Sequence, residues 1–230
     1  MTIAFIPSDP ALRPPVESFP FSDLTAVKFP YADAVVVSYA AGQEVVGEGD
    51  PTENYYLVIR GVFRAVKVTR DGRRQIFAFY MPGDMCGLEP EGSHGLTIEA
   101  VNPAAMATLS RQMCRARMNR DPQFNAAMFD NVTRALTYAV DHMTMVGRSS
   151  AEERLAWFLS MLSARFVGRR SSSIELTMQR QDIADYLGLT IETVSRTFTQ
   201  LRTSGVISLQ EGNRVLVADL GKLADLSEGA

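Results

Sequence analysis

Residues 179–198 read QRQDIADYLGLTIETVSRTF, and this stretch decides the fold of the C-terminal part of the chain. Apolar residues recur three and four positions apart on both sides of Gly188, which predicts two short helices joined by a left-handed turn. Thr190 stands where its side chain can cap the second helix. The pattern predicts a helix–turn–helix whose inward residues are Ile183, Ala184, Leu187, Val194, Phe198 and Leu201.

The outward face of the second helix carries side chains that suit the major groove of DNA. An arginine can bond O6 and N7 of guanine together, a glutamate accepts from the cytosine amino group, and a serine can meet a base edge or a thymine methyl. We therefore expect Glu192, Ser195 and Arg196 to read bases, with Ile191 beside them. Phosphate contacts fix the register of such a helix, and the residues placed to make them are Gln179, Arg180, Gln181, Thr190 and Thr193.

The segments around this motif complete a larger domain. Residues 151–166 have the periodicity of an amphipathic helix. Two strand-like runs, 206–209 and 215–217, are joined by the turn-forming residues Glu211, Gly212 and Asn213, which predicts a hairpin wing. Residues 148–230 are therefore predicted to form a winged helix–turn–helix domain that binds double-stranded DNA.

A long helix is predicted upstream of this domain, over residues 120–147. Asp121 can act as its N-cap and Pro122 fits the first helical position. About 26 residues give a length of roughly 39 Å, and its apolar surface exceeds what one small β domain can cover. We expect two copies of the chain to pair along it, at Phe124, Met128, Val132, Leu136, Ala139, Val140 and Met143. The alternative is a helix that merely covers the β domain.

The sequence pattern of the N-terminal half predicts many short strands. Runs at 34–39 and 54–59 are rich in β-branched and aromatic residues, and Asp71-Gly72 separates two further runs as a hairpin turn. We expect a β-roll or jelly-roll over residues 23–119, and therefore an α+β protein. Residues 1–22 hold five prolines, which predicts a flexible or extended arm.

The composition excludes several classes of protein. Hydrophobic residues make up 46% of the chain, which is enough for packed cores and excludes wholesale disorder. The net charge of −3 excludes a surface coated in basic charge. No apolar run reaches the ~18 residues of a membrane span, and the N-terminus lacks the pattern of a signal peptide. We expect a cytoplasmic protein without a membrane partner.

The sequence also argues against an enzyme. A metal site of the cupin type needs several histidines with a carboxylate, whereas this chain has only His94 and His142, in different elements. Neither a phosphate-binding loop nor a nucleophile elbow is complete. Cys86 and Cys114 are too few for an iron–sulfur cluster held by four thiolates, and we interpret them as small core residues. No metal site and no catalytic residue is therefore expected.

The chain resembles the Crp/Fnr superfamily of bacterial transcription regulators over nearly all of residues 30–220, and within it the FixK group. The resemblance is carried by DGRRQI at 71–76, FYMPGD at 79–84 and DIADYLGLTIETVSR at 182–196. It implies a β-roll, a dimer helix and a winged helix–turn–helix that reads a TTG…CAA inverted repeat through Glu-x-x-Ser-Arg. It further implies RNA polymerase as a partner, and activation of microaerobic, anaerobic or nitrogen-oxide metabolism genes.

The resemblance also bears on the signal. Cyclic-AMP-binding relatives neutralise the phosphate with an arginine, but residues 87–100, GLEPEGSHGLTIEA, contain no Arg or Lys. Their reading helix has Arg where this chain has Ile191. The Fnr branch senses oxygen through N-terminal cysteines, which residues 1–40 lack. Kinship to FixK implies activity without a cofactor; switching by a small ligand, or by a haem bound through His94 or His142, stays open as the alternative.

Overall fold

The computed structural model describes residues 34–148, 150–166, 173–211 and 213–228. The predicted N-terminal arm at 1–22 lies outside these ranges. Eight strands come first: β1 Val35–Tyr39, β2 Glu44–Val46, β3 Asn54–Arg60, β4 Phe63–Val68, β5 Arg74–Tyr80, β6 Met85–Cys86, β7 Thr97–Ala100 and β8 Ala104–Ser110. They pair into two antiparallel four-stranded sheets, ordered β1-β8-β3-β6 and β2-β7-β4-β5, which confirms the predicted β-roll and the α+β class.

The alternation of side chains along β3 shows how the roll is filled. Tyr56 and Val58 belong to the cluster between the sheets, together with Phe63 and Met106. Leu57, between them in sequence, belongs to a separate cluster formed with the helices that follow. Because successive strand residues point to opposite faces, one strand supports both the interior of the roll and its helical cover.

The hairpin between β4 and β5 forms where it was predicted, with a different turn. The backbone N–H of Thr69 donates to the carbonyl of Arg73, and that of Gly72 donates to the carbonyl of Thr69. Gly72 has a φ of +81°, but Asp71 does not share this conformation. The connection is therefore a longer loop, not a two-residue turn in which both central residues have positive φ.

Two helices follow the roll: α1 Arg111–Met118, which the sequence did not predict, and α2 Pro122–Arg148. Asp121 caps α2 as expected, since its carboxylate accepts a hydrogen bond from the backbone N–H of Phe124 at 3.0 Å. Phe124 and Met128, however, are each only 4% exposed and pack against the roll. Their expected place at a dimer interface is corrected: the protomer itself already covers them.

The remaining elements form the C-terminal part of the molecule. They are α3 Ala151–Phe166, β9 Ser173–Glu175, α4 Arg180–Leu187, α5 Ile191–Thr203, β10 Ile207–Gln210, β11 Arg214–Val217 and α6 Leu220–Glu228. The three strands pair antiparallel in the order β10-β11-β9. The predicted helix–turn–helix and wing are present, and β9 and α6 are additions that the sequence did not indicate.

One apolar core joins the two halves of the chain. Val62, Ile76 and Phe79 of the roll pack in the same cluster as Phe158 of α3 and Leu187 of α4. The helix–turn–helix is therefore docked onto the β4–β5 side of the roll. No helix in the part of the chain that the structure describes is long and apolar enough to cross a bilayer.

Candidate nucleic-acid interface

Local sequence explains why α4 and α5 meet as they do. Gly188 ends α4 with a φ of +63°, in the left-handed region that glycine adopts without strain. The backbone N–H of Thr193 donates to the Thr190 hydroxyl at 3.2 Å, which caps α5. The residues predicted to face inward are buried where the two helices meet. They are Ile183, Ala184, Leu187, Val194, Phe198 and Leu201.

The opposite side of α5 exposes the three expected base-reading residues, Glu192, Ser195 and Arg196. The pKa of Glu192 lies below its usual value because its own backbone N–H, and then the Thr190 side chain, donate to the carboxylate. Glu192 is thus an ionised acceptor. No ion pair engages Arg196 within the ranges described above, so its guanidinium is available to an acceptor pair such as guanine O6 and N7.

The five expected phosphate-contacting residues are not equivalent. Gln179, Gln181 and Thr190 are exposed, and Thr193 is half-buried. Arg180 is half-buried, and its guanidinium carbon lies 3.4 Å from the centroid of the Phe198 ring. This stacking, with burial that lowers the pKa of Arg180, gives the side chain a packing role within the motif.

The wing adds a basic residue that sequence reasoning missed. Arg214 is exposed at the start of β11, opposite Gln210 of β10 in the strand register. Asn213, just before it, has a φ of +59°, a conformation that asparagine tolerates better than most residues. A basic residue beside a tight turn was the available signal for this position.

Sequence reasoning also missed a group of charged residues behind the motif. On α4, Asp182 accepts from Arg64 of β4 at 2.7 Å and from Arg74 of β5 at 2.5 Å. Asp185, one turn further along, accepts from the same Arg74 at 2.7 Å. We call these four residues the interdomain ion-pair cluster. The three-residue spacing places Asp182 and Asp185 on one face of α4. The sequence could not indicate their arginine partners, because these lie more than a hundred residues away.

Apolar side chains pack between the two sheets of the roll, among them Tyr56, Phe63 and Met106. Cys86 is fully buried there, and burial raises the pKa of its thiol well above the usual value. Burial also raises the pKa of Cys114. Neither thiol is activated, because the thiolate is the reactive form.

Each histidine has a partner at one ring nitrogen. His94 is buried; its Nδ1 lies 2.5 Å from a Glu89 carboxylate oxygen, and its Nε2 has no hydrogen-bond partner among the described residues. The Nε2 of His142 lies 2.8 Å from the Tyr186 carbonyl, and the two rings stack with centroids 4.1 Å apart. Among the residues that the structure describes, no three His, Cys, Asp or Glu side chains are grouped as a metal ion would require.

Two family descriptions match this chain, one for each half. Residues 36–121 match the cyclic nucleotide-binding domain. Residues 153–226 match the Crp-like helix-turn-helix domain. These ranges correspond to the roll with α1, and to α3 through α6.

Relatives and a solved structure cover most of the chain. The nitrogen fixation regulation protein FixK of Azorhizobium caulinodans is 40% identical over 191 residues, which is 82% of this chain and 77% of that protein. The transcriptional activatory protein AadR of Rhodopseudomonas palustris is 37% identical, covering 78% and 77%. The structure of FixK2 from Bradyrhizobium japonicum aligns with a TM-score of 0.78 at 37% identity, over 84% of this chain and 96% of that one.

Proposed function

Since this chain belongs to the FixK group of the Crp/Fnr superfamily of transcription regulators, we propose that it is a homodimeric activator that reads a TTG…CAA inverted repeat with Glu192, Ser195 and Arg196. The residues proposed to contact the flanking phosphates are Gln179, Arg180, Gln181, Thr190 and Thr193. Such a regulator works on the chromosome, hence in the cytoplasm, with RNA polymerase as its further partner.

One observation carries this proposal: α5 presents an ionised carboxylate, a hydroxyl and an unpaired guanidinium on one exposed face, while its other face is buried. These groups complement cytosine, a base edge or thymine methyl, and guanine respectively. Ile191, 37% exposed, has no hydrogen-bonding group for a guanine at the neighbouring position. This supports an operator of the TTG…CAA kind over that of the cyclic-AMP-dependent branch.

Pairing of two copies is supported by an apolar stripe on α2. Phe129, Leu136 and Met143 are 70%, 63% and 70% exposed in the protomer, and Val132 and Val140 are 46% exposed. At about 100° per residue, these five side chains lie on one side of the helix. Burying them against a second copy would remove this surface from water, and a two-fold pair of reading helices would match an inverted repeat.

The test is a binding titration with a fluorescently labelled duplex at several salt concentrations. The effector-free protein should bind a TTG…CAA duplex in a salt-dependent manner. Exchanging the half-site G·C pair for A·T should weaken binding by about 1–3 kcal/mol per half-site, and Arg196→Ala should remove that difference. Arg202→Ala, on the same helix and also exposed, is the matched control that should retain it. Equal affinity for a scrambled duplex contradicts the proposal.

We also propose that DNA binding needs no small effector, because residues 87–100 of the roll contain no Arg or Lys that could neutralise a bound cyclic phosphate. A second candidate, switching by a small apolar ligand, is favoured by a cavity of about 360 Å³ lined by Phe79, Tyr138, His142 and Trp157. Transcription in vitro from a consensus promoter separates the two. Activation by purified, ligand-free protein supports the first; activity that appears only with an added cell extract supports the second.

A further inference from the structure

The carboxylates of the interdomain ion-pair cluster are largely buried, and its arginines are partly buried. The side chains of Asp182 and Asp185 are 3% and 10% exposed, and those of Arg64 and Arg74 are 15% and 29% exposed. Glu99 of β7 also binds Arg64, at 2.7 Å, so the arginine is held from two sides. Two neighbouring strands of the roll thus hold one face of α4 through charge-assisted hydrogen bonds, which have stricter geometry than apolar contact.

The C-terminal end of α4 is also held. The imidazole of His142, on α2, stacks on Tyr186 and reaches the Tyr186 carbonyl. Arg154, on α3, donates to the carbonyl of Leu187 at 3.0 Å. The first helix of the motif is therefore fixed between the roll and the helix α2 along which two copies would pair.

The cluster also reaches the DNA-facing surface. The side-chain amide of Gln181 donates to the second carboxylate oxygen of Asp185 at 2.6 Å. Gln181 is one of the exposed residues assigned to phosphate contacts. The groove between the hairpin and the motif is lined by Arg74, Gln181, Thr190 and Thr193, so the cluster borders the same edge of α5 that approaches the duplex.

We propose that the interdomain ion-pair cluster positions the helix–turn–helix relative to α2 and thereby determines which separation of operator half-sites the dimer accepts. The proposal rests on the proposed function. A change of one base pair in that separation moves a half-site by about 3.4 Å and rotates it by about 34°. A motif fixed both to the roll and to α2 cannot follow this change, whereas one released from the roll can tilt about its junction with α3.

Ion pairs suit such a positioning role better than a simple stabilising one. Well-packed apolar residues at a buried site often stabilise a protein as much as a buried ion pair does, whereas charges with directional partners favour one arrangement. Arg73, the residue before Arg74, offers a contrast. Its ion pair with Asp71 joins two residues of one loop, and their side chains are 83% and 55% exposed. This pair has the same chemistry but does not connect the two domains.

The experiment compares affinities for TTG…CAA duplexes whose half-site separation is optimal or changed by one and two base pairs. Arg74→Gln weakens the cluster from the roll side and leaves both carboxylates of α4 in place. Asp185→Asn is the milder second variant, because it retains the pairs of Asp182 with Arg64 and Arg74. Arg73→Gln is the matched control, with the same loss of charge one residue away.

The intact protein should prefer the optimal duplex over its neighbours by about tenfold or more, and Arg73→Gln should keep this ratio. Arg74→Gln and Asp185→Asn should lower this ratio to about threefold or less while still discriminating against a scrambled sequence. An unchanged ratio in folded Arg74→Gln and Asp185→Asn overturns the inference and leaves the proposed function standing. If the intact protein fails to distinguish TTG…CAA from scrambled DNA, the proposed function fails first, and the inference falls with it.

Discussion

Replacing Met128 by alanine tests which side of α2 belongs to the protomer. Met128 is 4% exposed and packs in a cluster with Leu57, Leu109 and Phe124. The substitution removes roughly three methylene-sized groups at about 0.8 kcal/mol each. With the cavity left behind, the free energy of unfolding should fall by about 2.5–4 kcal/mol. We expect this loss in urea denaturation, and at every protein concentration, because the lost contacts lie within one chain.

Leu136→Ala is the matched control on the same helix. Leu136 is 63% exposed in the protomer, so its truncation should change protomer stability by less than about 0.5 kcal/mol. It should instead shift the monomer–dimer equilibrium in sedimentation velocity and lower the urea midpoint only where the dimer is populated. A loss below about 1 kcal/mol for Met128→Ala, or equal losses for the two variants at low concentration, would refute the assignment of these faces.

Three further changes follow from the same geometry. Arg196→Lys keeps the charge but loses the two-pronged donor, so binding should persist while discrimination at the half-site guanine falls, measured as the affinity ratio between matched and G-exchanged duplexes. Gly188→Ala introduces a Cβ at a φ of +63°, where the nearest atoms stand 3.6 Å away; backbone strain alone should cost about 1 kcal/mol in thermal or urea unfolding. Burial lowers the pKa of His142 below its usual 6.5, so the unfolded state binds the proton more readily. The stability that the protein gains from an uncharged His142 is therefore complete above about pH 6.5 and is lost progressively as the pH falls below that value. His142→Phe, which keeps a ring against Tyr186, should flatten the slope of unfolding free energy against pH below about pH 6.5, and an unchanged slope contradicts this assignment.

The limits of sequence reasoning are clearest on α2. Its apolar residues form two stripes, centred on Met128 and on Leu136, about 80° apart at roughly 100° per residue. Their three- and four-residue spacing is the same, so they were predicted as one interface. Only the position of the roll, which covers the first stripe, distinguishes a protomer core from an exposed face.

Short elements with weak local signals were missed for a similar reason. Helix α1 reads RQMCRARM, with three arginines among eight residues, and it is held by burial of Arg111 and Cys114 against the roll. Strand β9 has three residues and exists by pairing with β11. Neither segment has enough periodicity of its own, so the neighbours that stabilise them had to be known first.

What the sequence determined by itself is local: the left-handed turn at Gly188, the caps at Thr190 and Asp121, the periodicity of the helices, and the outward face of α5. Each depends on residues within a few positions of one another, where backbone sterics and hydrogen bonding suffice. The tertiary structure alone decided which stripe of α2 is covered, that Arg180 stacks on a ring, and that Arg64 and Arg74 hold the acidic face of α4. The ion pairs join residues that are 108 to 118 positions apart in the sequence. Local backbone preferences cannot select a partner across that distance, because only the packing of the two domains brings these residues together.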